Sequence, residues 1–406
     1  MDRRAVVVGA GLAGMVAADA LLRDGWDVEV LEARDRVGGR TWSISLPNGA
    51  VAEMGAEFIL PGNIQIRALA ARLSLGLTDK GMRYGRREPR GGPPVTEAEL
   101  AAGAAAVRKA LAAVDGDPTA RELLETIPMA DGARAAILAR LEISSASPSE
   151  AVPAVGLEGV GHIGDDPSPG VAGGNQGLAL ELARQLGDRV RLADPVDQIR
   201  WTDAGVEVRT PAGRVVQADR CVIAVPANVI HRTAFEPALP RAKREALAAV
   251  SYGHAAKLFV PLTAPAEPSA VMSVPERWWC WTQTDAKGDP VPLVSCFAGS
   301  APALERLGVE EGPDRWLESL AALRPDLELE PDDALLSTWD DDPWAAAAYS
   351  ISSPPARAAT LAAPVGPLSF AGEHTAGAFS GLMEGAIRSG RRAAAELTAE
   401  AGPGAR

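Results

Sequence analysis

The first 32 residues contain the feature that most limits the fold of this chain, a complete strand–helix–strand unit with glycines at its first turn. An apolar run at residues 4–8 predicts a buried parallel strand. It leads directly into Gly-Ala-Gly-Leu-Ala-Gly at positions 9–14, after which residues 15–23 predict a helix and residues 26–31 a second strand. This order is typical of the βαβ unit that binds dinucleotides.

The glycines and one acid of this unit each suit a task in dinucleotide binding. Gly9 permits the tight turn, Gly11 lets the backbone approach a pyrophosphate, and Gly14 lets the helix pack closely on the strand. Glu32 follows the second strand, where its carboxylate can accept hydrogen bonds from a ribose. The alternative is a tight turn that binds nothing, but strand, helix and acid together favour NAD or FAD.

A second glycine pair favours FAD over NAD. Gly38 and Gly39 come shortly after the second strand and are followed by Arg40, which adds positive charge on the far side of the pyrophosphate. The alternative is a surface turn with scattered arginines. That alternative weakens because residues 55–58, Gly-Ala-Glu-Phe, add a third turn that begins with small residues.

The other end of the chain has a second strand–glycine–helix pattern. Residues 368–371 predict a strand, residues 372–375 a turn, and residues 380–386 the start of a helix that runs through Glu396. Because this unit lies far along the chain from the first, we expect the two ends of the chain to close one fold.

Charge and rare residue types exclude several classes of protein. The formal net charge of −13 disfavours a general nucleic-acid binder. The four histidines and three cysteines have neither metal-ligand spacing nor a disulfide pattern, so we expect no metal site. No apolar run approaches the roughly 18 residues of a membrane span, and the first residues lack a secretion signal. We therefore expect a cytoplasmic protein without a membrane partner.

Six stretches of the sequence resemble the flavin-containing amine oxidase family, which includes monoamine oxidases, polyamine oxidases and L-amino-acid oxidases. They lie at both ends and in part of the middle of the chain, and the first and last are the most specific. The stretches are VVVGAGLAGMVAADAL, LEARDRVGGRTWS, GAEFI, GGNQGLALELARQLGDRVRLADPVDQI, ADRCVIAVPANVI and LSFAGEHTAGAFSGLMEGAIRSGRRAA.

The resemblance and the order of elements predict an α/β protein with two domains. A discontinuous, Rossmann-like FAD-binding domain is expected to comprise residues 1–75, 172–240 and 362–406. A mixed α+β substrate-binding domain is expected to comprise residues 76–171 and 241–361.

The middle of the chain changes character several times. Residues 81–94 are rich in Gly, Pro and Arg and predict a hinge, and residues 95–140 predict two or three helices. Residues 148–174 predict a loop, residues 177–186 a helix, and residues 190–225 a series of short strands.

The resemblance implies FAD contacts at the positions that match the family's pattern. Glu32 would hold the adenosine ribose, Arg40 would reach the pyrophosphate, and Met383 would offer its backbone N–H to the pyrimidine edge of the flavin. The expected cofactor contacts are Gly9, Gly11, Ala13, Gly14, Glu32, Arg34, Gly39, Arg40, Ala56, Glu57, Val196, Gly372, Glu373 and Met383.

The resemblance also implies two catalytic residues, Lys257 and Tyr349. Family members have a lysine on this strand that contacts flavin N5 through water and can support the reaction of the reduced flavin with O2; the alternative is a solvent-facing lysine. Tyr349 matches one wall of a cage that orients an amine, or else is a core tyrosine. The opposing aromatic is Leu382 here, and the cysteine that tethers the flavin in monoamine oxidases is Ala348. We therefore expect non-covalent FAD and a bulkier or less basic substrate than a simple primary amine.

Scarce aromatic residues concentrate on the expected substrate side. Six of the nine tryptophans lie between positions 278 and 349, and Trp278-Trp279-Cys280-Trp281 cannot place all its rings on one face of a strand. Either core packing or a pocket wall explains them. His254 is more simply a structural residue than a base. The candidate pocket residues are Trp279, Trp281, Trp339 and Leu382.

These observations favour an FAD-dependent oxidase that converts a C–N bond of an amine or amino-acid-like molecule to an imine. Hydride would pass to flavin N5, and O2 would reoxidise the flavin to give H2O2, with biosynthesis of a small molecule as one context. The alternatives are a C–C desaturase or dehydrogenase for an apolar substrate, and a flavin-binding protein without catalysis. A homodimer is one option for the oligomeric state.

Overall fold

The structure is a computed structural model and describes residues 3–158, 164–351 and 353–400. The helices are α1 Leu12–Arg23, α2 Ile64–Arg72, α3 Glu97–Leu111, α4 Ala120–Thr126, α5 Asp131–Ser145, α6 Gly177–Leu186, α7 Arg241–Ala248, α8 Ala301–Arg306, α9 Asp314–Leu323, α10 Pro355–Ala362 and α11 Met383–Glu400.

The strands are β1 Arg4–Val8, β2 Asp27–Leu31, β3 Ser43–Ser45, β4 Val51–Glu53, β5 Leu77–Thr78, β6 Glu88–Arg90, β7 Gly170–Val171, β8 Val190–Arg191, β9 Gln198–Thr202, β10 Gly205–Arg209, β11 Val215–Ala218, β12 Arg220–Ile223, β13 Ala234–Glu236, β14 Ala255–Pro261, β15 Ser269–Ser273, β16 Trp278–Thr284, β17 Pro290–Gly299, β18 Leu335–Thr338 and β19 Leu368–Phe370.

A five-stranded parallel sheet in the order β19-β12-β1-β2-β8 forms the centre of the fold. Val7 and Val222 face α1, α6 and α11, whereas Val6 and Val8 face an apolar core shared with the sheet β11-β10-β9-β13. The continuous apolar run of β1 is explained by this burial on both faces. The predicted α/β fold class is confirmed.

A six-stranded sheet in the order β18-β14-β17-β16-β15-β6 lies in the remaining part of the chain. On one face Trp278 and Cys280 pack with Trp316 of α9, and on the other Trp279 and Trp281 pack near α5. The strand alternation thus separates the neighbouring tryptophan rings, as the sequence predicts. Because its strands come from the two predicted segments of the substrate-binding domain, this sheet accounts for the expected mixed α+β part.

Three elements differ from the sequence interpretation, and the first is β7, which lies in the predicted loop at 148–174 and pairs with β5. The predicted hinge at 81–94 contains β6, which pairs in parallel with β15 at the edge of the six-stranded sheet. The last helix begins at Met383 rather than near Ser380, since Gly381 has φ +78°, a backbone conformation outside the helical region. The exact domain boundaries stay predictions.

Parts of four predicted segments lie outside the described residues. They are residues 1–2 and 401–406 of the FAD-binding domain, residues 159–163 of the predicted loop, and residue 352 of the substrate-binding domain.

The first and last helices pack at a glycine. A Cβ at Gly390 of α11 would lie 2.3 Å from the carbonyl oxygen of Ala13 and 3.2 Å from the backbone nitrogen of Ala17, both in α1. Only a residue without a side chain allows this approach, which brings the two ends of the chain together.

Replacement of Gly390 by Val is expected to lower the free energy of unfolding by about 3 kcal/mol or more, because the side chain would push α11 away from α1. Chemical denaturation measures the change. Gly62→Ala is the control, since a Cβ at Gly62 would meet no atom within 4 Å. Equal stability of the two variants would contradict the proposed close packing.

Candidate active site

One long cavity begins where β1 and β2 end and reaches the face of the six-stranded sheet that carries Trp279 and Trp281. Both ends of the chain and both larger sheets contribute to its walls. The expected cofactor contacts that line it are Gly9, Gly11, Ala13, Glu32, Arg34, Gly39, Arg40, Ala56, Glu57, Val196, Gly372, Glu373 and Met383.

The turn after β1 presents backbone to this cavity. Gly9 has φ +102°, and a Cβ there would lie 2.8 Å from the carbonyl oxygen of Ala224. Gly11 caps α1 without a side-chain hydrogen bond, and the first turn of the helix has no acidic residue. The first N–H groups of α1 are thus available to an anionic group in the cavity.

Gly14 does not line the cavity, and its expected contact with the cofactor stays a prediction, whereas its predicted packing role is seen in the structure. A Cβ at Gly14 would lie 1.9 Å from the carbonyl oxygen of Gly9. The missing side chain therefore lets α1 pack closely on the preceding turn.

Glu32 is held in place at the end of β2. It is buried, and its carboxylate accepts hydrogen bonds from the backbone N–H of Ala10 at 2.6 Å and of Arg34 at 2.9 Å. A carboxylate has about four acceptor positions, so others are left for a ligand. The Arg34 guanidinium is turned toward Asp342, at 2.5 Å.

Arg40 and Glu373 join the segments from the two ends of the chain. Their ion pair measures 2.9 Å, and Arg40 also donates to the carbonyl of Ala348 at 2.9 Å. Burial is the largest influence and opposes the charge of Glu373, but Arg40 and the hydrogen bonds from Ser350 and Gly381 together lower the pKa of the carboxyl. Arg40 is therefore already engaged by the protein, next to the position where it would meet a pyrophosphate.

His374 is a buried neighbour of this ion pair and also lines the cavity. Burial lowers the pKa of its imidazole to about 4, so it is neutral at pH 7.

Lys257 is buried at the other end of the cavity rather than exposed to solvent. Its ammonium donates to a carboxylate oxygen of Glu57 and to the carbonyl of Glu53, both at 2.7 Å. Lys80 pairs with the other oxygen of Glu57 and also contacts Gln283 at 3.3 Å. Glu57 is thus shared by two buried lysines.

The pKa values of this cluster depend on the sharing. Burial disfavours the charge of Glu57, but Lys257 and Lys80 together outweigh it, and the pKa of Glu57 is lowered. Burial also lowers the pKa of Lys257, and the Glu57 charge opposes that change. Glu53 lies next to this cluster and has no lysine of its own; burial, and then the charge of Glu57, raise its pKa to about 7.

Tyr349 and Leu382 both line the cavity, as the expected half of an aromatic cage requires. Tyr349 is anchored by a hydrogen bond from its hydroxyl to the carbonyl of Ser144 at 2.9 Å, and burial raises the pKa of the phenol. Ala348 also lines the cavity, whereas Cys221, Cys280 and Cys296 do not.

The expected tryptophans divide into two groups. Trp279, Trp281 and Trp339 line the cavity, and the first two stack with centroids 4.4 Å apart. Trp278 instead packs on Trp316 at 6.0 Å, on the other face of the sheet, so the concentration of aromatics belongs partly to the core.

His254 lies outside the cavity lining. Its imidazole is half exposed and contacts Asp340 at 3.0 Å, which agrees with a structural role.

Sequence reasoning missed several residues of the cavity wall, among them three from two of the segments discussed above. Phe58, Tyr84 and Arg87 all contribute to it. Phe58 ends the Gly-Ala-Glu-Phe turn at residues 55–58, in which the small residues are the main sequence signal. Tyr84 and Arg87 lie in the predicted hinge, where the cluster of arginines was the one available signal.

The described ranges contain no helix with both the length and the apolar character needed to cross a membrane. In the same part of the chain, no group of three or more His, Cys, Asp or Glu side chains is placed to hold a metal ion.

Comparison with known proteins places the chain among flavin enzymes. A family model described as flavin-containing amine oxidoreductase matches residues 12–139 and 136–398. A putrescine oxidase from Kocuria rosea is 30% identical, with 98% of this chain and 95% of that protein covered. The flavin-containing amine oxidase B of Homo sapiens is 28% identical, with 97% and 85% covered.

Solved structures give the same result. Wild-type putrescine oxidase bound to putrescine matches with a TM-score of 0.83 at 25% identity, covering 98% of this chain and 99% of that chain. Cyclohexylamine oxidase from Brevibacterium oxydans shares the fold, with a TM-score of 0.81 at 22% identity and 99% and 100% covered.

The raised pKa of Glu53 predicts a pH-dependent stability. Between about pH 4.5 and about pH 7 the folded protein retains a proton that the unfolded chain releases, so the contribution of Glu53 to stability falls as the pH rises. Glu53→Gln has no titrating carboxyl at this position, so its stability does not fall for this reason as the pH rises. Relative to wild type, the variant is expected to gain on the order of 2 kcal/mol between pH 5 and pH 8.

Chemical denaturation of both proteins at the two pH values, with flavin in constant excess, measures this gain. A difference between variant and wild type that does not change with pH would contradict the raised pKa.

Proposed function

The chain is a member of the flavin-containing amine oxidoreductase family, and we propose that it is an oxidase that uses non-covalent FAD to convert a C–N bond of its substrate to an imine. The observation that carries this proposal is the single cavity that joins the dinucleotide turn to Lys257 and Tyr349. A ligand as long as FAD is what such a cavity suits.

The residues of the nucleotide end fit FAD. A Cβ at Gly11 would meet no atom within 4 Å, so this position leaves room for a phosphate to approach the backbone. Glu32 would accept hydrogen bonds from the ribose, and Arg40 would add positive charge beside the pyrophosphate. Because Ala348 replaces the tethering cysteine and no cysteine lines the cavity, non-covalent binding is proposed.

Bound flavin supplies the redox chemistry, since it can accept a hydride from the carbon beside the substrate nitrogen and pass the electrons to O2, which leaves as H2O2. The protein's own residues have simpler tasks. Tyr349, fixed by Ser144, would orient the amine on one side, and Leu382 leaves more room on the other. Trp279 and Trp281 provide apolar walls that exclude water.

Lys257 would hold a positive charge and a hydrogen-bond donor at the reaction end of the cavity. Its contacts with Glu57 and Glu53 fix the direction of the ammonium group. A fixed positive charge in a site with little water stabilises the negative charge that develops when O2 is reduced.

The proposal predicts a yellow protein whose colour passes into the supernatant after denaturation and chromatographs as FAD. Under anaerobic conditions an amine substrate is expected to bleach the oxidised flavin, and air is expected to restore the band with formation of H2O2. A panel of amines, amino acids and apolar compounds without nitrogen provides the test. Protein that binds no flavin, or flavin that only the nitrogen-free compounds reduce, would overturn the proposal.

Lys257→Met is expected to slow the reoxidation of reduced flavin by O2 by about tenfold or more, because the positive charge is lost from the cavity. Stopped-flow mixing of reduced enzyme with O2 measures the rate. Lys80→Met is the matched control, since Lys80 pairs with the same carboxylate but does not line the cavity. Equal slowing in both variants would show that the shared Glu57 cluster, and not the position of Lys257, is responsible.

A further inference from the structure

Arg87 is a buried cation in the cavity wall that has no carboxylate partner among the described residues. It directly precedes β6, is 5% exposed, and lines the cavity. Its Nε and Nη1 atoms are buried and have no hydrogen-bond partner among the described residues. Two donors of a charged group are therefore free at a position where a ligand would lie.

The groups around Arg87 are aromatic. Its guanidinium carbon lies 3.8 Å from the ring centroid of Trp279 and 4.3 Å from that of Tyr84. Cation–π contacts of this kind hold the plane of the guanidinium but give Nε and Nη1 no acceptor. Burial disfavours the charge and lowers the pKa of Arg87, so an anion at this position would offset a cost that the free protein bears. The phenol of Tyr84 partly offsets the effect of burial on the pKa of Arg87.

Three other cations of the cavity wall differ from Arg87 in this respect. Lys257 pairs with Glu57, Arg40 pairs with Glu373, and Arg34 pairs with Asp342. Each of these charges is matched within the protein, which is how buried charges are normally stabilised. Arg87 has no such carboxylate in the described part of the chain, so a ligand in the cavity can supply the negative charge.

We propose that Arg87 binds a carboxylate group of the substrate, so that the substrate is an amine that also carries a carboxylate, as an amino acid does. This inference rests on the proposed oxidase function. Arg87 and Tyr349 both line the cavity, so the anion site lies in the same cavity as the residue expected to orient the amine. Charge-assisted hydrogen bonds from a guanidinium suit a carboxylate in geometry and strength.

The same arrangement disfavours a diamine. A second ammonium group at this end of the cavity would face the charge of Arg87. Glu57, the carboxylate that lines this end, is already shared by Lys80 and Lys257. Arg87 therefore attracts a substrate carboxylate and repels a second substrate ammonium group. This expected preference distinguishes the chain from the relative that binds putrescine.

Benzoate is the probe for the anion site, because it carries a carboxylate and an aromatic ring but no amine to oxidise. We expect calorimetry to show binding of benzoate to the flavin-loaded protein, and Arg87→Met to weaken it by about 10- to 100-fold. Arg83→Met is the matched control, since Arg83 lies in the same segment, pairs with Asp79 at 3.1 Å, and does not line the cavity. Its affinity for benzoate is expected to be that of wild type.

Thermal unfolding separates a ligand-binding role from a structural one. Because Arg87 lacks a carboxylate partner among the described residues, Arg87→Met is expected to melt no lower than wild type in the absence of benzoate. Arg87→Gln is a second variant, which keeps a polar side chain but removes the charge. Wild-type affinity for benzoate in either variant, or a wild-type protein that binds no benzoate, would overturn the inference.

A substrate pair distinguishes this inference from the proposed function. We expect phenylalanine to reduce the flavin with a higher kcat/KM than 2-phenylethylamine, and Arg87→Met to reverse the order. Reduction by amines without a carboxylate, together with benzoate affinity independent of Arg87, would overturn the inference and leave the oxidase function standing. Benzoate binding through Arg87 in a protein that no amine or amino acid reduces would instead overturn the oxidase function.

Discussion

The parallel pairing of β12 with both β1 and β19 is the constraint on which the rest of the structure depends. These three strands come from the beginning, the middle and the end of the chain. Because they are parallel, their carboxyl ends meet at one edge of the sheet, and the turns that follow them open into one cavity. The absence of a side chain at Gly390 lets α11 lie against α1 and keeps the terminal segments together.

Charge is distributed along the cavity in separate, locally matched groups. Arg40 and Glu373 balance each other near the nucleotide end, and Glu57 balances two lysines near the reaction end. Burial raises the free-energy cost of any mismatch, so the guanidinium of Arg87, which has no carboxylate partner among the described residues, costs stability in the free protein. Such a cost is typical of a binding site whose ligand supplies the missing charge.

Much of the nucleotide end could be predicted from the sequence because its determinants are local. Gly9, Gly11 and Glu32 act within one strand–helix–strand unit, where spacing alone fixes their relative positions. The alternation of a strand likewise predicted that the rings of Trp278 and Trp279 would separate. In contrast, the sharing of Glu57 by Lys80 and Lys257 joins distant segments that no periodicity relates.

The sequence by itself determined the strand–glycine–helix units at both ends, and through the resemblance of its motifs it also indicated the flavin family. Only the tertiary structure decided which charges are matched. The sequence around Arg87 has no periodic pattern that predicts burial. A cluster of arginines in a predicted hinge has the same sequence whether it faces water or a cavity. The pairing of β6 with β15 puts Arg87 beside Trp279. Whether a buried charge is neutralised within the protein or is available to a ligand depends on its neighbours. Those neighbours are set by contacts between distant parts of the chain.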